Sequence, residues 1–537
     1  MKYTLKRRLI RLTSVFSVIG LVYIIHQNYS SYQPRSKGSL PFQDDLPLIT
    51  LIGIHNGKEI GPNTIPYFLK SVGRQEHTLD LLIIQRGGCS DLSRWTKGIN
   101  NIRHICLSED KFWGYHADYF CQKWGGCTRN QKKILHQDMI SFGHVPSPQA
   151  HYPVLRGWVF KDFIRSETAY WGYTDFDTML GDFSQTFPYD LLETPYDVIM
   201  PTEPNDNGGI RLVFMRGHMT LFRNSAETEQ KILGYPDFTS FKNWDEGGLT
   251  NYSTSIGEGD YSSFVVRDPS INILAFDGLA HGNEPKLSTP AGILTLPESF
   301  APQKGEEAPK TLSPDLVKAF STRALTLPNQ PSLTLEGIER PISIISGSKP
   351  KDFGIWFPES VLNYYMADPV PKSTNKRKWR RYLIKINNVW RERLEPMKGF
   401  TGHDGQNSIK GAYEWLYAHW QEDKRQTHFL GLPQELKGDI FINYLYHGNA
   451  IYDSETGGRL IWRARKPENC CSFGCVEPEE VSICDRPEHK VWREERKNYG
   501  KWFMESKRVR LGVSTGTIPP PPEQPTPPVY TRLLKTP

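Results

Sequence analysis

The chain has 537 residues, of which 38% are hydrophobic, 12% aromatic and 23% charged; this excludes an intrinsically disordered protein and leaves room for about two to four domains. The net charge of +6 is not the footprint of a nucleic-acid binder, because Lys2, Lys6, Arg7, Arg8 and Arg11 supply five of those positives before residue 12. The remainder is close to neutral, and no nucleic-acid partner is expected.

In chain order, residues 1–8 form a short basic tail, and 9–26, "LIRLTSVFSVIGLVYIIH", an apolar segment. A membrane crossing takes roughly 17 to 25 residues, so the segment is at the short limit, with Arg11 snorkelling back to the interface. The stretch after it has only a weak small-residue cleavage site, which predicts an uncleaved signal anchor. Positive charge ahead of the anchor places the N-terminus in the cytoplasm and the bulk of the chain in a lumen. Short spans suit the thin membranes of the endoplasmic reticulum or Golgi.

Cysteine usage agrees with that compartment. Eight cysteines fall into two groups, at 89, 106, 121 and 127 and at 470, 471, 475 and 484; an oxidising lumen pairs them, with the connectivity open. The second group, "CCSFGCVEPEEVSIC", lacks the usual spacing of a zinc knuckle. Asn251-Tyr252-Ser253 is a glycosylation sequon, and Asn28-Tyr29-Ser30 is another close to the membrane.

After a polar stem over 27–46, the segments "LPLITLIGIHNG", "IPYFLKSVGRQ" and "LDLLIIQRGG" read as strand, helix and strand, the signature of a parallel sheet. "NIRHICLSED" is a third strand, and "YPVLRGWVFKDFIRSE" (152–167) a helix leading into "YWGYTDFDTMLGD" (170–182). "YDVIMP" and "GHMTLFRN" are further strands, followed by the glycine-rich acidic loop "WDEGGLTNYSTSIGEGDYSSFV". These elements make 47–281 one α/β domain built on a parallel sheet. Residues 282–352, rich in Pro, Gly, Ser and Lys, read as an irregular insertion.

Residues 353–500 complete the domain and carry the second cysteine group. Here "KSTNKRKWRR" leads into Leu383, Ile386, Val389, Trp390 and Leu394 at helical spacing, predicting an amphipathic helix with a solvated basic end. "NAIYDSETGGRLIWRAR" reads as a hairpin turning at Gly457-Gly458. The tail, 501–537, is proline-rich and expected to be disordered.

The chemistry centres on Asp175 and Asp177. An Asp-x-Asp pair just after a strand turns two carboxylates toward one side of a loop, where they can hold a hard divalent cation that also touches phosphate oxygens. Ligands of open α/β sheets bind beyond the carboxyl ends of the strands, where this motif stands. In this setting the stretch resembles the DxD glycosyltransferases of the GT-A fold, and most of all a poorly characterised glycosyltransferase-like family. That family has an aromatic-Trp-Gly-Tyr stretch before the acidic pair and Gly-Asp after it. "LITLIGIHNGK", "LDLLIIQ", "WGYTDFDTMLGD", "MRGHMTLFRN" and "DEGG" followed by "EGDYSS" recur in order, so that the likeness covers roughly residues 47 to 265.

The resemblance implies a GT-A-like (Rossmann-like) mixed sheet flanked by helices, with an N-terminal transmembrane helix and irregular C-terminal elaborations. It implies Mn²⁺ (or Mg²⁺) and a nucleotide-sugar donor, with a glycan or glycoprotein as acceptor. Asp177 becomes the direct metal ligand and Asp175 a contact to metal or donor ribose, whereas Asp182 caps the next helix. His218 and Arg216, or Arg223, are candidates to touch the sugar or diphosphate. Asp245, Glu246 and Asp260 are candidates for the base that takes the acceptor proton. His419 in "LYAHWQEDK" is the candidate third metal ligand, with His403 and His447 behind it.

Two other readings compete. A haloacid-dehalogenase-type phosphatase also uses two aspartates one residue apart and then a Thr, but wants a residue between Asp177 and Thr178 and places the motif on its first strand. A non-catalytic lumenal carbohydrate-binding relative would keep the aromatic residues without needing both aspartates.

Overall fold

Apolar side chains at successive positions of "LITLIGIHN" and "LDLLIIQR" demand cover on both faces, as the inner strands of a parallel sheet do. The computed structural model of the protein places them there. It describes residues 46–57, 64–142, 153–202, 210–246, 260–280, 286–289, 292–296, 309–321, 338–341, 355–358, 379–396, 399–401, 408–420, 439–444 and 448–463, with isolated short pieces from 470 onward. The predicted cytoplasmic tail, the anchor, all of the stem but its last residue, both sequons, His403 and His447 lie outside the described residues. Among the described residues no helix is long and apolar enough to cross a membrane. Leu46–Pro537 cluster as one unit.

The chain contributes β1 (Leu48–Asn56), β2 (Leu79–Arg86), β3 (Ile102–Leu107), β4 (Thr168–Thr174), β5 (Thr178–Leu180), β6 (Val198–Thr202), β7 (Ile210–Val213), β8 (Met219–Arg223) and β9 (Ile273–Asp277). There follow β10 (Lys286–Thr289), β11 (Gly292–Thr295), β12 (Ile338–Pro341), β13 (Ile355–Pro358), β14 (Trp379–Ile386), β15 (Val389–Pro396), β16 (Gly399–Thr401), β17 (Ser408–Trp415), β18 (Tyr417–His419), β19 (Asp439–Tyr444), β20 (Gly448–Asp453) and β21 (Arg459–Arg463). Ten of these form one mixed sheet in the order β12-β15-β14-β9-β6-β8-β4-β1-β2-β3. Strands β3, β2, β1 and β4 run parallel, and β8 runs antiparallel to both β4 and β6.

Alternation along β1 and β2 sends Ile52, Leu82 and Ile84 into one core and Ile49, Leu51, Leu79, Leu81 and Ile83 into another on the opposite face. The helix Ile65–Gly73 covers the second face, and Glu109–Lys123, capped by Ser108 accepting from Lys111 N–H, covers the first. The chain runs from β1 outward to β2 and β3 and then returns to lay β4 on the other side of β1. The order reverses between β1 and β4, which is where open α/β sheets bind ligands.

A second sheet, wholly antiparallel, has the order β16-β17-β11-β10-β19-β20-β21 and its own core around Leu287, Leu294, Ile440 and Tyr452. Its β10–β11 hairpin comes from within 282–352, the stretch with the composition of an irregular insertion.

Three expectations need correction. The amphipathic helix expected from Leu383 to Leu394 is instead the β14–β15 hairpin. Asn387 and Asn388 both take positive φ, 49° and 63°, which builds the tight turn that two-residue hairpins prefer and a helix cannot contain. The basic end is not solvated throughout, since Arg381 is buried and paired with buried Glu392. The predicted helix over 152–167 breaks into a 3-10 turn, the short helix Arg156–Val159 and a second 3-10 turn, Lys161–Phe163. Bulky Trp158, Val159 and Phe160 favour the core over a regular helix. Lastly, the acidic loop is flanked by helices, Phe241–Glu246 and Asp260–Arg267, and only the stretch between them lies outside the described residues.

Of the cysteines in the first group, Cys89 pairs with Cys106 and Cys121 with Cys127. The former ties the loop after β2 to β3, and the latter closes the end of the helix Glu109–Lys123. In the second group the backbones of Cys470 and Cys475 pair as antiparallel neighbours.

A carboxylate and imidazole cluster at the sheet switch point

Strand β4 ends at Thr174, and the chain reverses through Asp175-Phe176-Asp177-Thr178 into β5. The turn is closed on one oxygen: the Asp175 carbonyl accepts from Thr178 N–H at 3.4 Å and from the Thr178 hydroxyl at 2.7 Å. Thr174 and Thr178 hydroxyls lie 3.1 Å apart beneath it. Thr178 is therefore committed to the turn.

Phe176, the residue between the aspartates, anchors the turn to β1. Its ring packs edge-on against Phe68 and leaves no room at Gly53, where a Cβ would stand 2.9 Å from the ring tip. Its carbonyl accepts from the Thr64 hydroxyl at 3.0 Å. With Phe176 turned inward, the aspartates on either side are left to point elsewhere. Helix Ile65–Gly73 and the turn after it brace β5 with two buried polar side chains: Ser71 Oγ accepts from Leu180 N–H, and Gln75 bridges the Gly181 carbonyl and Phe183 N–H.

The C-terminal part of the chain completes the site by backbone pairing. Strand β18 runs antiparallel to β5, setting Tyr417 opposite Leu180, Ala418 opposite Met179 and His419 opposite Thr178. Trp420 N–H donates to the Asp177 carbonyl at 2.9 Å, and Gly181 N–H to that of Leu416 at 2.7 Å. This docking carries His419 Nε2 to 3.5 Å from Asp177 Oδ1. One ligand atom each from Asp175, Asp177 and His419 then lies within 4.8 Å of the other two. An octahedral ion with bonds of about 2.1 Å holds its ligand atoms about 3 to 4 Å apart, so a small closure of these side chains fits one cation. Two carboxylates and one imidazole offer mixed oxygen and nitrogen ligation to a divalent cation, unlike the all-oxygen ligation typical of Mg²⁺.

Cations and aromatic groups surround the carboxylates. Buried Arg156 donates from Nη1 to the Ile52 carbonyl at 3.3 Å and lies over the Tyr173 ring. Burial lowers its pKa to about 10, and the attraction of Asp175 opposes that shift. His218 is buried, its ring stacked on that of His419 at 4.1 Å and its Nδ1 hydrogen-bonded to the Tyr417 hydroxyl at 2.9 Å. Burial first, and then His419 and Arg216, push its pKa well below the ordinary value, so it stands neutral beside Asp177. Arg216 lies over the Phe214 ring.

Among the described residues, the other sequence candidates are not part of the Asp175, Asp177 and His419 group. Arg223 ends β8 close to Tyr170 and Glu227. Glu246 pairs with Lys242 at 3.9 Å on the helix Phe241–Glu246, whose Trp244 is buried in the core. Asp245 is on the same helix, and Asp260 begins the helix Asp260–Arg267. Asp182 takes the N-cap position of Phe183–Thr186, but its carboxylate accepts from the Ser184 hydroxyl at 2.6 Å and not from a helix N–H. Of the motif's aromatic residues, Trp171 stacks on Phe222 and packs edge-on against Trp158 in the core, whereas Phe176 anchors the turn. Sequence reasoning missed Arg156, although an arginine inside the apolar run "YPVLRGWVF" is a signal, because a buried cation needs a partner.

A family model described as "Family of unknown function (DUF6625)" matches residues 150–236, which include both aspartates and His218. No curated protein matches the chain. Among solved structures the chain is similar to the galactosyltransferase LgtC in complex with donor and acceptor sugar analogues, at 11% identity and a TM-score of 0.19 over 32% of this chain and 57% of that one. It is also similar to the mannosyltransferase PcManGT of Pyrobaculum calidifontis in complex with GDP-Man and Mn²⁺, at 12% identity and a TM-score of 0.20 over 44% and 61%. Mouse xyloside xylosyltransferase 1 is similar at 10% identity and a TM-score of 0.20 over 34% and 72%. The chain thus spans little more than half the length of the galactosyltransferase.

Proposed function

We propose that the protein is a metal-dependent glycosyltransferase of GT-A type that moves a sugar from a nucleotide-sugar donor to a glycan or glycoprotein acceptor. The observation that carries this reading is the convergence of Asp175, Asp177 and His419 at the β1–β4 switch point. Asp175, Asp177 and His419 would hold a divalent cation, which would supply Lewis-acid stabilisation to a leaving nucleoside diphosphate. Asp175 and Asp177 supply its carboxylate ligands and His419 its imidazole. Arg156 offsets the charge of Asp175 from the buried side. Arg216, close enough to His218 to lower its pKa, is a candidate cation for a phosphate. Asp245, Glu246 and Asp260 are retained as candidates for the acceptor side. The apolar segment 9–26 anchors the chain in an endoplasmic reticulum or Golgi membrane with the folded unit in the lumen, where the disulfides Cys89–Cys106 and Cys121–Cys127 suit the redox conditions.

The test is donor hydrolysis and transfer by the full-length protein across a panel of nucleotide sugars, with Mn²⁺ and with EDTA. Turnover of at least one donor, abolished by EDTA and by Asp175→Asn/Asp177→Asn, is expected. Absence of turnover together with absence of metal-dependent nucleotide binding removes the enzyme reading.

A further inference from the structure

His419 sits on a strand of only three residues, and side chains two apart on a strand share a face. Tyr417 and His419 are such a pair, and the structure places the His218 ring against both. One side of that ring lies on His419, at 4.1 Å between centroids and 29° between planes; its Nδ1 meets the Tyr417 hydroxyl at 2.9 Å. Tyr417 is itself fixed, its N–H donating to the Gly278 carbonyl and its carbonyl accepting from Ala280 N–H. His218 is held independently, in the tight turn closed by the Arg216–Met219 bridge ahead of β8. The result is a closed arrangement: backbone pairing sets Tyr417, Tyr417 sets the His218 ring, and that ring is the wall against which His419 rests.

We propose that His218 and Tyr417 are positioning residues that fix the His419 imidazole for the cation, and that His218 is not a contact to the sugar or diphosphate. This rests on the metal reading of Asp175, Asp177 and His419. An imidazole turns about its last side-chain bond in a broad, shallow well, so a ligand ring without a wall or a hydrogen-bonded partner samples many orientations. Groups that orient a ligating histidine typically change metal affinity by about 10- to 100-fold when lost. Here the orientation comes from a stacked ring held by a tyrosine hydroxyl.

The experiment is Mn²⁺ titration of the full-length protein, without nucleotide, followed by electron paramagnetic resonance of free and bound Mn²⁺, with UDP affinity at saturating Mn²⁺ measured alongside. His218→Ala is expected to weaken Mn²⁺ binding by about 10- to 100-fold. His218→Phe, which keeps the stacking surface, is expected to recover most of that loss. Tyr417→Phe, which removes one oxygen and leaves the packing intact, shows a smaller loss of the same sign and keeps the test open if His218→Ala does not fold. UDP affinity at saturating Mn²⁺ stays unchanged in all three. The proposal is overturned if His218→Ala and Tyr417→Phe bind Mn²⁺ as the parent does, or if they weaken only UDP, which would make His218 a donor contact. If the parent binds no Mn²⁺, or His419→Ala binds it as tightly as the parent, the metal reading itself fails and takes the proposal with it.

Discussion

Gly181 offers a test of the site that leaves every ligand side chain in place. It follows β5, donates its N–H to the Leu416 carbonyl at 2.7 Å and accepts from Gln75 Nε2 at 2.6 Å. A Cβ there would stand 2.0 Å from the Trp415 carbonyl oxygen and 3.1 Å from that of Leu416. Carbon–oxygen contacts settle at about 3.3 Å or more, so Gly181→Ala forces the two backbones apart by about 1 Å. The Cβ is fixed by the backbone and the atoms it meets are main chain, so no rotamer relieves the clash. Losing the Gly181–Leu416 bond costs about 0.5–1.5 kcal/mol, and overpacking adds about 1–3 kcal/mol, for a total of about 1.5–4.5 kcal/mol. The displacement falls on β18, which carries His419 to Asp177. Urea denaturation should report the stability loss, and Mn²⁺ titration an affinity lowered by about tenfold or more. Parent-like stability and Mn²⁺ affinity in Gly181→Ala would refute the claim that close strand docking builds the site.

Three further outcomes are expected. Buried His116 has its pKa lowered from 6.5 to about 4, chiefly by desolvation. The unfolded chain then takes up the proton first, so this contribution to stability is complete above pH 6.5 and is lost as pH falls toward 4. Between pH 7 and pH 5 the parent should lose ~2 kcal/mol more than His116→Gln in denaturant titrations; parallel pH profiles would contradict this. Replacing Cys89 and Cys106 together by Ser removes a cross-link spanning 17 residues and should cost about 2–4 kcal/mol in the same assay, with no loss if the bond does not form. Phe176→Ala removes the ring that pins the turn to Gly53 and Phe68, at about 1–3 kcal/mol for a partly buried aromatic, and should weaken Mn²⁺ binding with both aspartates present; unchanged affinity would show that the turn holds itself.

The parallel half of the large sheet is legible because local signals coincide there: continuous apolar runs in β1 and β2, an amphipathic helix between them, and glycines closing β2 at Gly87 and Gly88. Asp175, Asp177 and His419 can be named from sequence, but what brings them together cannot. The β18–β5 pairing joins distant parts of the chain, and its enabling residue, Gly181, looks in sequence like any turn glycine. The β14–β15 hairpin is hidden for another reason. Its strand lies inside the large sheet, with Leu383 in one core and Tyr382 and Ile384 in the other, so its apolar positions do not alternate and imitate helical spacing. Asn387-Asn388 is the local signal that decides it. His218 is ambiguous in sequence because a histidine beside a strand reads as a donor contact or as a structural group; its stacking on His419 and its bond to Tyr417 are legible only in the structure.

The most direct measurement of the central claim is binding of a nucleoside diphosphate to the full-length protein, titrated with and without Mn²⁺, for the parent and for Asp175→Asn/Asp177→Asn. The account predicts tight binding only in the parent and only with Mn²⁺. Equal binding by the double variant, or by the parent in EDTA, would contradict it.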